Sequence, residues 1–239
     1  MKAFVLCGGQ GTRLRPYTYS LPKPMLKMGR KPILQYVVEN LRLNGFTDLI
    51  LTVGYKKEAI KEYFGDGKKF GVEIEYAEED EPKNTAGSIL DYKGKIKESF
   101  LVVMGDHLTD INLRDMMAAH KKSGAIATMA LTKKEMQLEY GIVEVKNSQV
   151  ASFSEKPKYD FLVNTAIYAF EPAIFEYIKP REDFAKHVFP RVLAAKKKIN
   201  PYMLSEYWVD VGRVSDYERL NEFLNVTSLL KNLDLKEGE

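Results

Sequence analysis

Apolar positions run along this chain in two periods. Residues 2–7, Lys2-Ala3-Phe4-Val5-Leu6-Cys7, are apolar almost without a break, which fits a strand buried on both faces. The spacing then changes to that of a helix over 32–44. Ile33, Val37 and Leu41 recur one turn apart, Pro32 fits the first turn and Gly45 can close the end. Leu49–Val53 predicts a second strand, with a helix near 56–64, and Val72–Tyr76 predicts a third. Phe100–Met104 predicts a fourth strand, ending in Gly105-Asp106. A helix is expected near 112–122, capped by Asp110 or Asn112.

Strand-helix alternation of this kind implies a mostly parallel sheet. Beyond residue 125 the pattern shifts to strands at 125–131, 141–146, 149–153 and 162–170, with Asn147-Ser148 as a hairpin turn. Helices are expected near 172–178, 186–196 and about 215–230, the last with Tyr217, Leu220, Phe223 and Leu224 on one side. Internal repeats, low-complexity segments and a linker are not evident. The expectation is one α/β domain whose two halves, 1–110 and 111–239, share a sheet, with a frayed tail at Lys236–Glu239.

Composition narrows the function. The chain has 239 residues, long enough for a sizeable core. Nothing approaches the ~20 apolar residues of a membrane span, and no charged leader with an apolar core is expected. The single Cys, Cys7, excludes an internal disulfide and a zinc cluster, and reads as a small core residue. A cytoplasmic protein is the expectation. Net charge is only +3. The one basic run, Lys196–Lys198, has no interleaved aromatics and reads as a solvated helix end, so neither nucleic acid nor a membrane is an expected partner. His107, His120 and His187 show no metal-ligand spacing, and no Ser/His/Asp set is suggested.

The chemistry concentrates after the first strand. Gly8-Gly9-Gln10-Gly11-Thr12-Arg13-Leu14 follows Leu6 and Cys7 directly. Glycines at the carboxyl end of a first strand let backbone N–H groups approach an anion, and Arg13 adds a charged donor fork. This is not Gly-x-Gly-x-x-Gly, since Leu14 holds the third glycine's place. Nor is it a phosphate-binding P-loop, since no Gly-Lys-Ser/Thr closes it. Further on, Lys23 stands between Pro22 and Pro24, which restrict its backbone.

Together, Gly-Gly-x-Gly-Thr-Arg-Leu and Pro-Lys-Pro-Met resemble the N-terminal signature of the sugar-1-phosphate nucleotidyltransferases. Three more segments match in order: Gly105-Asp106, Glu155-Lys156-Pro157, and Trp208-Val209-Asp210-Val211-Gly212. The resemblance spans residues 8–212 and implies a Rossmann-like three-layer α/β/α fold. It implies a short form without the C-terminal left-handed β-helix that many relatives carry. Residues 1–110 would bind the nucleotide and 111–239 the sugar phosphate. Leu6, Gly8, Gly9, Gly11, Thr12 and Arg13 would line the nucleotide site, and Arg13 and Lys23 would hold its phosphates. Asp106 and Asp210 would share a Mg²⁺, a hard cation suited to carboxylate and phosphate oxygens. Lys156 would orient the attacking sugar phosphate. Glu155, Gly141 and Asn164 would meet the sugar. The base would be read near Glu79, Asn84 and Gly87.

Two positions depart from the family pattern. Asn84 replaces the first glycine of Gly-Thr-Ala-Gly, and Ala166 replaces the glycine of Asn-x-Gly. The implied reaction joins a nucleoside triphosphate to a sugar 1-phosphate of glucose or mannose type, by a chain that could be a homo-oligomer. The alternatives are a catalytically silent nucleotide-sugar-binding subunit, a phosphocholine cytidylyltransferase of the same fold, and an NAD-dependent enzyme. Retention of Arg13, Lys23, Asp106, Lys156 and Asp210 argues for catalysis.

Overall fold

The computed structural model describes residues 1–234, with side chains to residue 224. In chain order it holds β1 (Lys2–Leu6), a short pair β2 (Lys27–Met28) and β3 (Lys31–Pro32), α1 (Ile33–Leu43), β4 (Asp48–Val53), α2 (Lys57–Phe64), β5 (Glu73–Glu78), α3 (Asn84–Gly87) and β6 (Phe100–Met104). There follow β7 (His107–Thr109), α4 (Leu113–Ser123), β8 (Ala127–Gln137), β9 (Ile142–Lys146), β10 (Gln149–Ser154), β11 (Lys158–Phe170), α5 (Phe189–Ala194), β12 (Ile199–Met203), β13 (Trp208–Asp210) and α6 (Val214–Asp234).

Seven strands form one sheet in the order β12-β8-β11-β6-β1-β4-β5. β11 runs antiparallel to both β6 and β8, and the other neighbours are parallel. β1 sits in the middle, so its side chains alternate between two buried layers. Ala3 and Val5 face one core with Leu34, Val38, Leu51, Val103 and Met116. Phe4 and Leu6 face the other, with Ile50, Phe100, Phe170, Phe184 and Phe189. This is the expected three-layer plan. A third cluster, Leu14, Leu26, Met28, Ile33, Val211 and Tyr217, fastens α6 to the start of the chain.

The main elements lie where the patterning places them, with instructive differences. Asn112, not Asp110, caps α4: its side chain accepts from Asp115 N at 3.1 Å. Asp110 instead accepts from Tyr207 N at 2.8 Å. The third strand runs later than expected because its ladder is fixed by β4, from Asp48–Glu73 to Val53–Glu78. The segment near 172–178 is a 3₁₀ helix, Pro172–Tyr177. The 186–196 segment starts early as a wide π turn, Phe184–Val188, capped by Asp183, and becomes α-helical only over Phe189–Ala194. Pro190 there has no N–H with which to continue a ladder. β12 carries no strand signal in the sequence because it is a sheet edge with Pro201, a residue that edges tolerate. The expected hairpin turn is present, with both Asn147 and Ser148 at positive φ. The frayed-tail expectation lies outside the described residues.

Candidate active site

Strand order reverses about β1: the chain goes from β1 to β4 on one side and returns to β6 on the other. In open α/β sheets such a point, beyond the carboxyl ends of the strands, is where ligands bind. A cleft of about 380 Å³ opens there, lined by Leu6, Gly8, Gly9, Gly11, Thr12, Arg13, Lys23, Glu79, Asn84 and Asp106, all expected at the nucleotide site. Gly11 is in the left-handed region at φ +62°, and a Cβ there would lie 2.9 Å from Thr18 Cγ2 and 3.1 Å from Lys23 Cβ. Only glycine lets the loop press against Lys23 in this way.

Asp106 leaves the end of β6 through Gly105, whose N–H donates to Leu6 O at 2.9 Å. Asp210 ends β13, which pairs antiparallel with β7 so that Asp210 stands opposite His107. Two acids more than a hundred residues apart are thus brought together by three-residue strands. Lys23 joins them: Nζ lies 2.6 Å from Asp106 Oδ2 and 3.0 Å from Asp210 Oδ1, in a side chain only 9% exposed. Burial alone would raise the Asp210 carboxyl, but Lys23, His107 and Arg13 outweigh it and hold the group below its ordinary value. His107 Nδ1 lies 3.2 Å from Thr165 O, and its ring meets Trp208 edge-on at 5.3 Å.

The carboxylates suit a hard cation. Asp106 Oδ1 is buried and has no hydrogen-bond partner. An orphaned carboxylate oxygen in a cleft is costly unless a ligand or ion meets it.

At the other end of the cleft, Glu79 lies against Gly8, where an added Cβ would sit 3.2 Å from Oε2. Its Oε1 is buried without a partner, and burial raises its carboxyl above the ordinary value. Gly87 packs against the Arg181 backbone, 2.8 Å from where a Cβ would stand. Thr85 Oγ1 donates to Asp183 Oδ2 at 3.0 Å.

The expected sugar residues lie apart from this cleft. They belong to an arm made by the outer parts of β8 and β11 and the β9–β10 hairpin. Glu155 and Lys156 are exposed there. Gly141 packs on its partner hairpin strand: a Cβ would approach Glu155 Oε2 and Phe153 Cζ to 2.7 Å. Asn164 spends its amide locally, donating to Tyr168 Oη at 2.8 Å and accepting from Ala166 N at 2.9 Å.

A family model described as nucleotidyl transferase matches residues 2–226. The chain belongs to the nucleotidyl transferase family. It is 34% identical over 239 residues to a UTP–glucose-1-phosphate uridylyltransferase from Synechocystis, with 91% of this chain and 61% of that protein covered. It is 38% identical over 231 residues to a mannose-1-phosphate guanyltransferase from Schizosaccharomyces pombe, with 91% and 62% covered. The chain therefore spans somewhat under two thirds of the curated relatives it matches. HddC from Yersinia pseudotuberculosis has the same fold, with a TM-score of 0.73 at 22% identity over 92% of this chain and 98% of that one.

The two departures from the family's glycine pattern acquire a physical meaning. Asn84 sits at φ +59° and Ala166 at φ +57°. Both keep the left-handed backbone that a glycine adopts freely. Asn tolerates it, with Nδ2 bonded to Arg181 O at 2.8 Å. Ala166 donates its N–H to Asn164 Oδ1 at 2.9 Å and packs against the core beside β11. Thr85 and Ser88, in the segment Asn84–Ser88 expected near the base, line the cleft, as does Asp183, which the sequence did not mark; His107 carried no expected role. No local signal marks Asp183, because its neighbours in the cleft are nearly a hundred residues away.

Proposed function

We propose that this chain transfers a nucleotidyl group from a nucleoside triphosphate to a sugar 1-phosphate, forming a nucleotide sugar and pyrophosphate. An oxygen of the sugar phosphate attacks the α-phosphorus in line. A new P–O bond forms as the α–β anhydride bond breaks, and its electron pair leaves with pyrophosphate. The observation that carries this reading is Asp106, with one oxygen held by Lys23 and the other orphaned, facing Asp210 beside a glycine loop. Mg²⁺ held by Asp106 and Asp210 would offset phosphate charge and polarise the reacting phosphoryl group. Backbone N–H groups of Gly8–Thr12 and the Arg13 guanidinium would hold the departing pyrophosphate. The Lys23 ammonium, fixed by both acids, would meet the phosphates as a point charge. Lys156 on the arm would bring in the sugar phosphate against the repulsion of two anions, with Glu155, Gly141 and Asn164 meeting the sugar.

Glu79 favours guanine. A carboxylate offers only acceptors, and guanine alone among the common bases presents two adjacent donors, N1–H and N2–H, on one edge. The guanyltransferase relatives agree with this choice. The sugar 1-phosphate is then of mannose type, with glucose as the alternative. Pyrophosphate release from a grid of ATP, CTP, GTP, UTP and dTTP against sugar 1-phosphates, with and without Mg²⁺, tests the reading. The expected result is release with GTP and one sugar phosphate, dependent on the metal. No release anywhere, with a nucleotide sugar still bound, would replace it with the silent-subunit reading.

A further inference from the structure

We propose that His107 is a third metal donor beside Asp106 and Asp210, giving a mixed nitrogen–oxygen site that takes Mn²⁺ or Co²⁺ in preference to Mg²⁺. The proposal rests on the metal-assisted reading above. Three atoms converge: His107 Nε2 lies 3.7 Å from Asp106 Oδ1 and 3.6 Å from Asp210 Oδ1. All three lie within 4.8 Å of one another.

The orientation of the ring is the first argument. Nδ1 faces the carbonyl of Thr165 at 3.2 Å, and a carbonyl can only accept, so Nδ1 carries a proton. With Nδ1 protonated and the ring neutral, the form in which histidine binds a metal, Nε2 turns a lone pair toward two carboxylate oxygens. A metal-binding histidine is held in the same way, with its second nitrogen donating to a backbone carbonyl. Trp208, edge-on to the ring, also restricts its rotation.

Distance is the second argument. Separations of 3.6 and 3.7 Å are too long for hydrogen bonds. Two donors on one ion at bond lengths of ~2.1 Å stand roughly 3.0–3.5 Å apart, so the two pairs made by His107 need to close by roughly 0.1–0.7 Å. The third argument is the division of Asp106. Lys23 occupies Oδ2, while Oδ1, buried and without a partner, is the oxygen that faces His107. The unsatisfied atom and the imidazole lone pair point into the same space. One imidazole among carboxylates moves a site away from the all-oxygen preference of Mg²⁺ toward the later first-row ions.

The test uses the full chain and metal alone. Electron spin-echo modulation of bound Mn²⁺ should show ¹⁴N coupling from an imidazole in the native protein, and His107→Asn should remove it. Titration with Co²⁺ should give about tenfold weaker binding in His107→Asn, with Mg²⁺ binding changed less than twofold. Asn can keep the bond to Thr165 O, so this variant preserves the local frame. Absence of ¹⁴N coupling in the native protein, or equal Co²⁺ affinity in both proteins, overturns the proposal, and the first measurement needs no variant. The two readings fail separately. Nitrogen coupling without pyrophosphate release would leave His107 a ligand and refute nucleotidyl transfer, whereas release without the coupling would do the reverse.

Discussion

The glycine-loop cleft and the arm carry the candidate residues of the proposed reaction on opposite kinds of structure. Around the cleft, each side chain is set by packed strands: Ala3, Phe4 and Val5 of β1 and Leu101 and Val102 of β6 are fully buried. In the arm every residue of β9 and β10 is exposed. Val150 is 68% and Phe153 64% exposed. Segments with few buried apolar contacts open at lower free energy than a core strand. The contrast teaches where precision is needed. Charge that develops on phosphate must be met by groups already in place, and a close-packed sheet holds them. A second substrate can be met by a surface that yields, where residues change at little loss of stability.

Breaking the rigid half should have the largest effect. Asp106→Asn removes one of the two carboxylates that hold Lys23 and one donor of the proposed metal site. Turnover should fall about 10³-fold, while circular dichroism and the melting temperature stay near native. A rate within tenfold of native would show that the packed corner is not where the chemistry lies.

The arm should answer differently. Lys156→Gln should raise KM for the sugar 1-phosphate roughly 10–100-fold, equivalent to about 1.4–3 kcal/mol, with KM for the triphosphate unchanged. Steady-state kinetics with each substrate varied separately would check this. Equal changes in both constants would mean that the arm and the cleft act as one site.

Glu79 sharpens the comparison from inside the cleft. Glu79→Gln replaces one acceptor by a donor and should lower the GTP-to-UTP ratio of kcat/KM at least tenfold. The same variant has a pH signature. Burial first, and contacts second, leave the Glu79 carboxyl with a raised folded-state value. The folded protein thus binds this proton more readily than the unfolded chain, and stability drawn from the protonated form is lost as pH rises through that value. The gain in melting temperature from Glu79→Gln should therefore be larger at pH 8 than at pH 4.

The same division explains what could be read from the sequence. The core strands were legible because runs such as Phe4-Val5-Leu6 and Leu101-Val102-Val103 leave little choice of element. The glycine loop was legible because Gly11 must adopt a conformation and a contact that few residues permit. The place of His107 beside Asp106 and Asp210 was not legible, since it depends on pairing between β7 and β13, strands too short to leave a period. Asp183 was invisible for the same reason: Thr85 selects it across the fold. The resemblance to a family paired Asp210 with Asp106, and the geometry added Lys23 and His107 beside them.

The smallest predicted effect lies at the base of the arm, where Ala166 holds φ +57°. A non-glycine residue in the left-handed region costs about 1–2 kcal/mol, and glycine's extra unfolded-state entropy costs about 0.5–1 kcal/mol. Ala166→Gly should thus stabilise the protein by about 0.5–1 kcal/mol, raising the melting temperature by roughly 1–4 °C for a chain of this size. Asn84→Gly, at nearly the same φ, should gain less, because Asn tolerates the conformation and would give up its bond to Arg181 O. Calorimetry on the two variants tests the pair. If Ala166→Gly were neutral or destabilising, the strained bulge within β11 would be held by the bond from Ala166 N to Asn164 and by the packing around it, and the arm would be stiffer than its exposure indicates.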